Sequence, residues 1–249
     1  MSEDVIKQFD MKYFNEVVTP LLSPHEVENW SAEFGRGLDV YLKRIERIGI
    51  TGQDTVLDAG GGAGNWSIPL SMLNRKVELI DIRDSRLMIA NNMIKRLSIN
   101  NININNMSIE DLRFPDNHFD TIVCYSVIMF TDIKKSLAEF NRVLKPEGSL
   151  FVQTDLWRWY WGQGFPSNVN KLTYSVRFIA KKILFDRPAM LTIKRFRRMI
   201  ESAGFQIVSI DQDGETSFLS EKKKCPKTGW IPTRPQGREE LIEVCATKQ

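Results

Sequence analysis

Between Val56 and Trp66 the chain reads VLDAGGGAGNW, an acid at Asp58 followed by glycines at Gly60, Gly62 and Gly64. An apolar strand that runs into such a stretch must turn tightly, and glycine tolerates the positive φ that a tight turn demands. The missing Cβ atoms let a ligand lie against the backbone, and a helix starting near Asn65 would offer it free N–H groups. Dinucleotide sites use G-x-G-x-x-G. Read from Gly60 that pattern requires glycine where Asn65 stands, and read from Gly62 it requires glycine where Ser67 stands. No G-x-x-x-x-G-K-[ST] occurs, which excludes a P-loop. The spacing here is D-x-G-x-G-x-G.

The segments around this loop alternate. DTVLDAG, KVELIDI, INNININNM, FDTIVCYSV and SLFVQTD read as strands. NWSIPLSML, SRLMIANNMIKRL and IKKSLAEFNRVL between them read as helices, the second capped by Asp84 or Ser85, the third stopped by Pro146 and Gly148. Repeated βα units predict an α/β fold, a Rossmann-like seven-stranded and mostly parallel sheet with helices on both faces. FRRMIESAGF, FQIVSI and LIEVCATK supply a late helix and the last two strands, with a long connection over 213–239. Two organisational units are expected. Residues 1–52 form a helical N-terminal extension or cap, in which LDVYLKRIERI carries Leu38, Leu42, Ile45 and Ile48 on one stripe. Residues 53–249 form the main domain, with a lid-like insertion over 156–192.

Within that alternation VLDAGGGAGNWSIPL resembles the first motif of the class I S-adenosylmethionine-dependent methyltransferases. KVELIDIRDSRLMIA resembles their second motif, with Asp81 closing the strand 21 residues beyond Gly60. SIEDLRFPDNHFDTIVCYSVIMF is similar to the adenine-side loop and fourth strand, RVLKPEGSLFV to the entry into the fifth, and FRRMIESAGFQIVSI to the late helix and sixth strand. The resemblance covers residues 53–155 and 194–212. It implies S-adenosylmethionine as cofactor, held by Asp58, Gly60, Gly62, Gly64, Asp81, Ile82, Ser108, Ile109, Glu110 and Tyr125. In such enzymes the acid at Asp81 binds the ribose hydroxyls, while Asp58 holds the loop more than it touches the ligand. Where many members carry an acid for the adenine amino group this chain has Ser108, with Glu110 and Asp111 following, and these three stay open. Tyr125 is expected near the methionine end.

The implied reaction is methyl transfer to a small-molecule or lipid-like acceptor, at oxygen, by in-line attack. Positioning and exclusion of water carry most of such a catalysis, and a base is required only for a protonated, weakly acidic nucleophile. Candidate bases are His25 and Tyr13 in the N-terminal zone and Asp155 at the end of the fifth strand. Cys124-Tyr125-Ser126-Val127 after the fourth strand is neither [NDS]-P-P-[YFW] nor Pro-Cys, which argues against adenine or glutamine amino groups and against cytosine C5. Cys124 reads as a buried strand residue and His118, in PDNHFD, as part of a turn. No clustered acids suggest a metal site, so none is expected.

Hydrophobic residues make up 42% of the chain and charged residues 26%, which excludes a largely disordered protein. No apolar run reaches the ~20 residues of a spanning helix. Three unpaired cysteines and an N-terminus without a secretory pattern fit a cytoplasmic protein. The formal net charge is +3, yet residues 151–200 hold ten basic residues against two acidic ones. Trp157, Trp159 and Trp161 open that block and read as a lid or substrate wall for an aromatic or extended acceptor. The cations suit an anionic acceptor or a membrane surface. Nucleic acid is disfavoured by the mildly basic whole, although an RNA methyltransferase is one alternative. The other is a non-catalytic, cofactor-binding scaffold or partner subunit. The oligomeric state is not legible.

Overall fold

The computed structural model describes residues 37–156, 191–219 and 241–249. Residues 1–36 of the helical extension, 157–190 of the expected 156–192 insertion, and 220–240, which hold most of the 213–239 connection, lie outside the described residues.

The first element, α1 (Leu38–Ile48), buries Leu38, Tyr41, Leu42, Ile45 and Ile48 along one face. Gly49 ends it in the left-handed region, its N–H reaching back to Ile45 and Glu46. The chain then alternates through β1 (Val56–Ala59), α2 (Ser67–Leu73), β2 (Val77–Asp81), α3 (Asp84–Arg96), β3 (Ile102–Asn106), β4 (Phe119–Tyr125), α4 (Ile133–Val143) and β5 (Leu144–Asp155). It closes with α5 (Ile193–Ser202), β6 (Phe205–Gln212) and β7 (Leu241–Lys248).

One seven-stranded sheet results, in the order β3-β2-β1-β4-β5-β7-β6. β7 is antiparallel to both its neighbours and the remaining pairs are parallel. Every residue of β1 and β2 is buried, as strands covered on both faces must be. One core, under α1, α2 and α3, gathers Ile45, Ile68, Leu79, Ala90 and Phe151. The other, under α4 and α5, gathers Leu57, Ile80, Ile122, Phe140 and Phe196.

Local details differ from the sequence reading at three helix ends. α2 starts at Ser67 because residues 62–66 are spent on turns. Arg83, not Asp84 or Ser85, occupies the N-cap of α3, and Asp84 sits in the first turn where a negative charge meets the helix dipole. α4 ends at Val143 and passes directly into β5. Pro146 and Gly148 instead fall where the register against β4 shifts, with Glu147 at φ 61°. α1, within the segment read as an extension, packs into the main core.

Candidate cofactor crevice

β1 and β4 are neighbours, but the chain leaves them in opposite directions across the sheet, β1 toward β2 and β4 toward β5. Ligands of open α/β sheets bind at such a switch point, outside the carboxyl ends of the strands. The glycine loop leaves β1 at this place. The N–H groups of Gly60 and Gly61 both donate to the Ile80 carbonyl at the end of β2, at 2.9 and 3.0 Å. Gly60, Gly62 and Gly64 all have positive φ. At Gly60 the requirement is also steric, because a Cβ would lie 2.5 Å from a methyl of Val127 just past β4. At Gly61 a Cβ would collide with the Asp58 carboxylate. The loop is thus pressed onto the ends of its own strand and of β4.

Asp58 is buried beneath that loop and accepts a hydrogen bond from Ser67 Oγ at 2.5 Å. Burial pushes its carboxyl up to about 7; the Ser67 bond opposes this and the charge of Asp81 adds to it. Asp81 closes β2, also buried. Its Oδ1 accepts from the Arg83 N–H at 2.8 Å, and Arg86 stands 3.9 Å from Oδ2. Ile82 beside it is 67% exposed, an apolar side chain offered at the crevice edge.

The three adenine-side alternatives are now placed. Ser108 Oγ accepts from the Glu110 N–H at 3.1 Å, and Glu110 Oε1 accepts from the Asp132 N–H at 2.8 Å. Asp111 is exposed, and Ile109 is buried in the core under α4. The Met107 N–H donates to the Asp81 carbonyl, which keeps this segment against β2.

At the other end of the crevice the Tyr125 ring lies 5.0 Å from Trp66, and its hydroxyl donates to the buried Asp213 carboxylate at 3.0 and 3.2 Å. Ser126, a non-glycine residue at φ 58°, follows, with its Oγ donating to the buried Gln153 at 2.8 Å. Backbone strain of this kind collects at functional sites. Trp66, Ser126, Val127 and Asp213 were missed in the sequence. Asp-Gly after a strand marked a turn at Asp213, but no local signal tied it to Tyr125, 88 positions earlier.

Asp155 ends β5, half-buried at the same edge of the sheet. His118 lies at the opposite edge, at the start of β4, packed against Phe114 and Phe119. Cys124 is fully buried, and burial raises its thiol far above the ordinary value. His25, Tyr13, Trp157, Trp159 and Trp161 lie outside the described residues. Among the described residues no three His, Cys, Asp or Glu side chains gather as a metal site would require, and no helix is long and apolar enough to cross a membrane.

Residues 56–148 match a family model described as a methyltransferase domain. Over that stretch the chain is similar to methyltransferase domains. The match coincides with the stretch from β1 to the start of β5, the half of the sheet that builds the glycine loop and Asp81. Over 113 residues the chain is 38% identical to the ubiquinone/menaquinone biosynthesis C-methyltransferase UbiE of Psychromonas ingrahamii, covering 43% of this chain and 45% of that one. It thus spans about half the length of such relatives. Its fold is similar to that of an S-adenosylmethionine-dependent methyltransferase from Aquifex aeolicus, with a TM-score of 0.56 at 17% identity over 99% of this chain and 97% of that one. It is also similar to the [4+2]-cyclase SpnF, with a TM-score of 0.57 at 15% identity over 84% and 79%.

Proposed function

We propose that the protein transfers the methyl group of S-adenosylmethionine to a ring carbon of a small, quinol-like acceptor. The observation that carries this reading is the glycine loop seated on Val127, with Asp81 one strand away, in a chain similar to a quinone-biosynthesis C-methyltransferase. That similarity favours carbon over the oxygen expected from the sequence. A cytoplasmic location is proposed with it.

The residues present fit the donor. Gly60 and Gly61 keep backbone clear where side chains would collide, and Asp81 offers a carboxylate at the end of β2, where a ribose diol can be hydrogen-bonded. Ile82 would cover one face of the adenine, with Ser108, Ile109 and Glu110 along its edge. Tyr125, fixed by Asp213 and Trp66, walls the methionine end. When bound, the donor supplies an electrophilic methyl carbon on a sulfonium, already a good leaving group. What the chain must do is align the acceptor carbon in line with it and exclude water. Carbon becomes nucleophilic enough when a ring hydroxyl loses its proton. Asp155 at the end of β5 is proposed to accept it, with His25 and Tyr13 as the other proposed bases. Trp157, Trp159 and Trp161 are proposed to form the apolar wall against the ring.

Calorimetric titration with S-adenosylmethionine, with NAD as control, tests the donor site. Saturable binding of the methyl donor alone, weakened at least about tenfold by Asp81→Ala, is expected, since a hydrogen bond to a charged group is worth about 1.5–3 kcal/mol. Absence of saturable binding by the unsubstituted protein would sink the reading. Donor labelled at its methyl carbon, incubated with a demethylated quinol, should then place the label on a ring carbon. A second reading is a cofactor-binding scaffold in which the bound donor is not consumed, since one fold hosts unrelated functions. Donor binding with no label transfer to any quinol would select it.

A further inference from the structure

The sheet topology brings two helix starts to the crevice edge. β7 is antiparallel to β5 and to β6, so β5 and β6 run the same way. α4 leads into β5 and α5 leads into β6, so both helices begin at the edge where the strands end, beside the crevice. The two helices pack together, and Asn141 near the end of α4 donates to the Gly204 carbonyl just past α5.

Those starts are cationic. The first turn of α4 exposes Lys134 and Lys135. The first turn and a half of α5 exposes Lys194, Arg195, Arg197 and Arg198, on the side opposite the buried Phe196 and Ile200. Arg197 meets Glu201 at 3.8 Å, the one ion pair of these six cations among the described residues. Asp132 lies within the same surface, but its carboxylate is held by the Lys134 and Lys135 amides as the N-cap of α4. Phe130, 60% exposed, projects from the turn Ile128–Phe130 that feeds α4.

Helix propensity does not explain this placement, because cations in a first turn oppose the positive end of the helix dipole. Six cations at one edge, with an unburied aromatic ring among them, have the composition of a surface that meets anionic headgroups while its ring enters the interface. We propose that the rim formed by Phe130, Lys134, Lys135, Lys194, Arg195, Arg197 and Arg198 docks on an anionic phospholipid bilayer. Docking holds the crevice edge against the surface from which a lipid-like acceptor is drawn. The inference rests on the quinol reading above for that acceptor, and not for the docking itself.

The test is co-sedimentation of the full chain with vesicles of phosphatidylcholine alone and of phosphatidylcholine mixed with phosphatidylglycerol. Binding to the mixed vesicles only, released by raised salt, is expected. Replacing Lys194, Arg195, Arg197 and Arg198 together by Gln should cut that binding at least about tenfold, on the scale of roughly 1 kcal/mol per surface cation. Lys134→Gln/Lys135→Gln should cut it severalfold. Phe130→Ala should weaken it without changing the salt dependence. Equal binding to both vesicle types, no binding to either, or variants that bind as the parent does would overturn the proposal. So would a short RNA that displaces the protein from vesicles while binding through the same four α5 cations. Calorimetry with S-adenosylmethionine on the unsubstituted protein, beside its vesicle binding, separates the two readings. Donor binding retained while vesicle binding is absent rejects the docking alone; vesicle binding without donor binding rejects the methyl-transfer reading and leaves the docking standing.

Discussion

Asp58 sits where a carboxyl is expensive to ionise, enclosed by the glycine loop and within the field of Asp81. Its value in the folded protein is about 7 against 3.8 ordinarily. Between those two values the folded state holds a proton that the unfolded chain has released. Stability therefore falls as pH rises from about 4 to about 7 and is level beyond, by a total of about 4 kcal/mol. Asp58→Asn keeps an acceptor for Ser67 and removes the titration. Its melting temperature should fall less over that window than the parent's, measured by circular dichroism at a series of pH values. An unchanged slope would assign the dependence to other groups. The same residue explains why its neighbour is glycine, since only a side chain of a single hydrogen leaves space for the carboxylate.

At the scale of elements, the ends of the chain's helices and strands are tied by groups far apart in sequence. Arg44 of α1 and Glu243 of β7 are both fully buried and form an ion pair, while Arg44 also donates to the Thr216 carbonyl at 3.1 Å. Breaking such a pair by losing one member leaves a buried charge. Arg44→Met should cost about 3–5 kcal/mol in urea unfolding, and Arg44→Met/Glu243→Leu should recover most of it. A double variant no more stable than the single one would refute this account. α1 was legible because its apolar stripe is local, but Arg44 in the midst of it reads as a solvated charge until its partner 199 positions away is known. The glycine loop, Asp81 and the alternation of strand and helix were legible for the same reason, each being written within a few residues. The wall of Tyr125, Asp213 and Trp66 was not, because three separate elements build it. Helix starts went astray where a turn or a backbone cap, with no side chain to announce it, set the boundary, as at Arg83 and Ser67.

For the molecule as a whole, two cores share one sheet, and each holds a thiol. Cys124 belongs to the core under α4 and α5, Cys245 to the core under α1, α2 and α3. Burial pushes Cys245 up to about 12 and Cys124 further still. In a Cys225→Ser background neither should react with a maleimide in the folded protein. Both should become reactive at one denaturant midpoint, the same as that of the circular dichroism, because the strands between the cores are common to both. Two separate midpoints would mean that the faces come apart independently. The strand that binds the faces is β7, the last of the seven to leave the ribosome, yet it is inserted between two that precede it. A nascent chain therefore carries β5 and β6 with open edges, and α1 with an unanswered arginine, for as long as translation takes to deliver Glu243. During that interval it resembles an unfinished sheet more than an unfinished enzyme, and chaperones have their opportunity there.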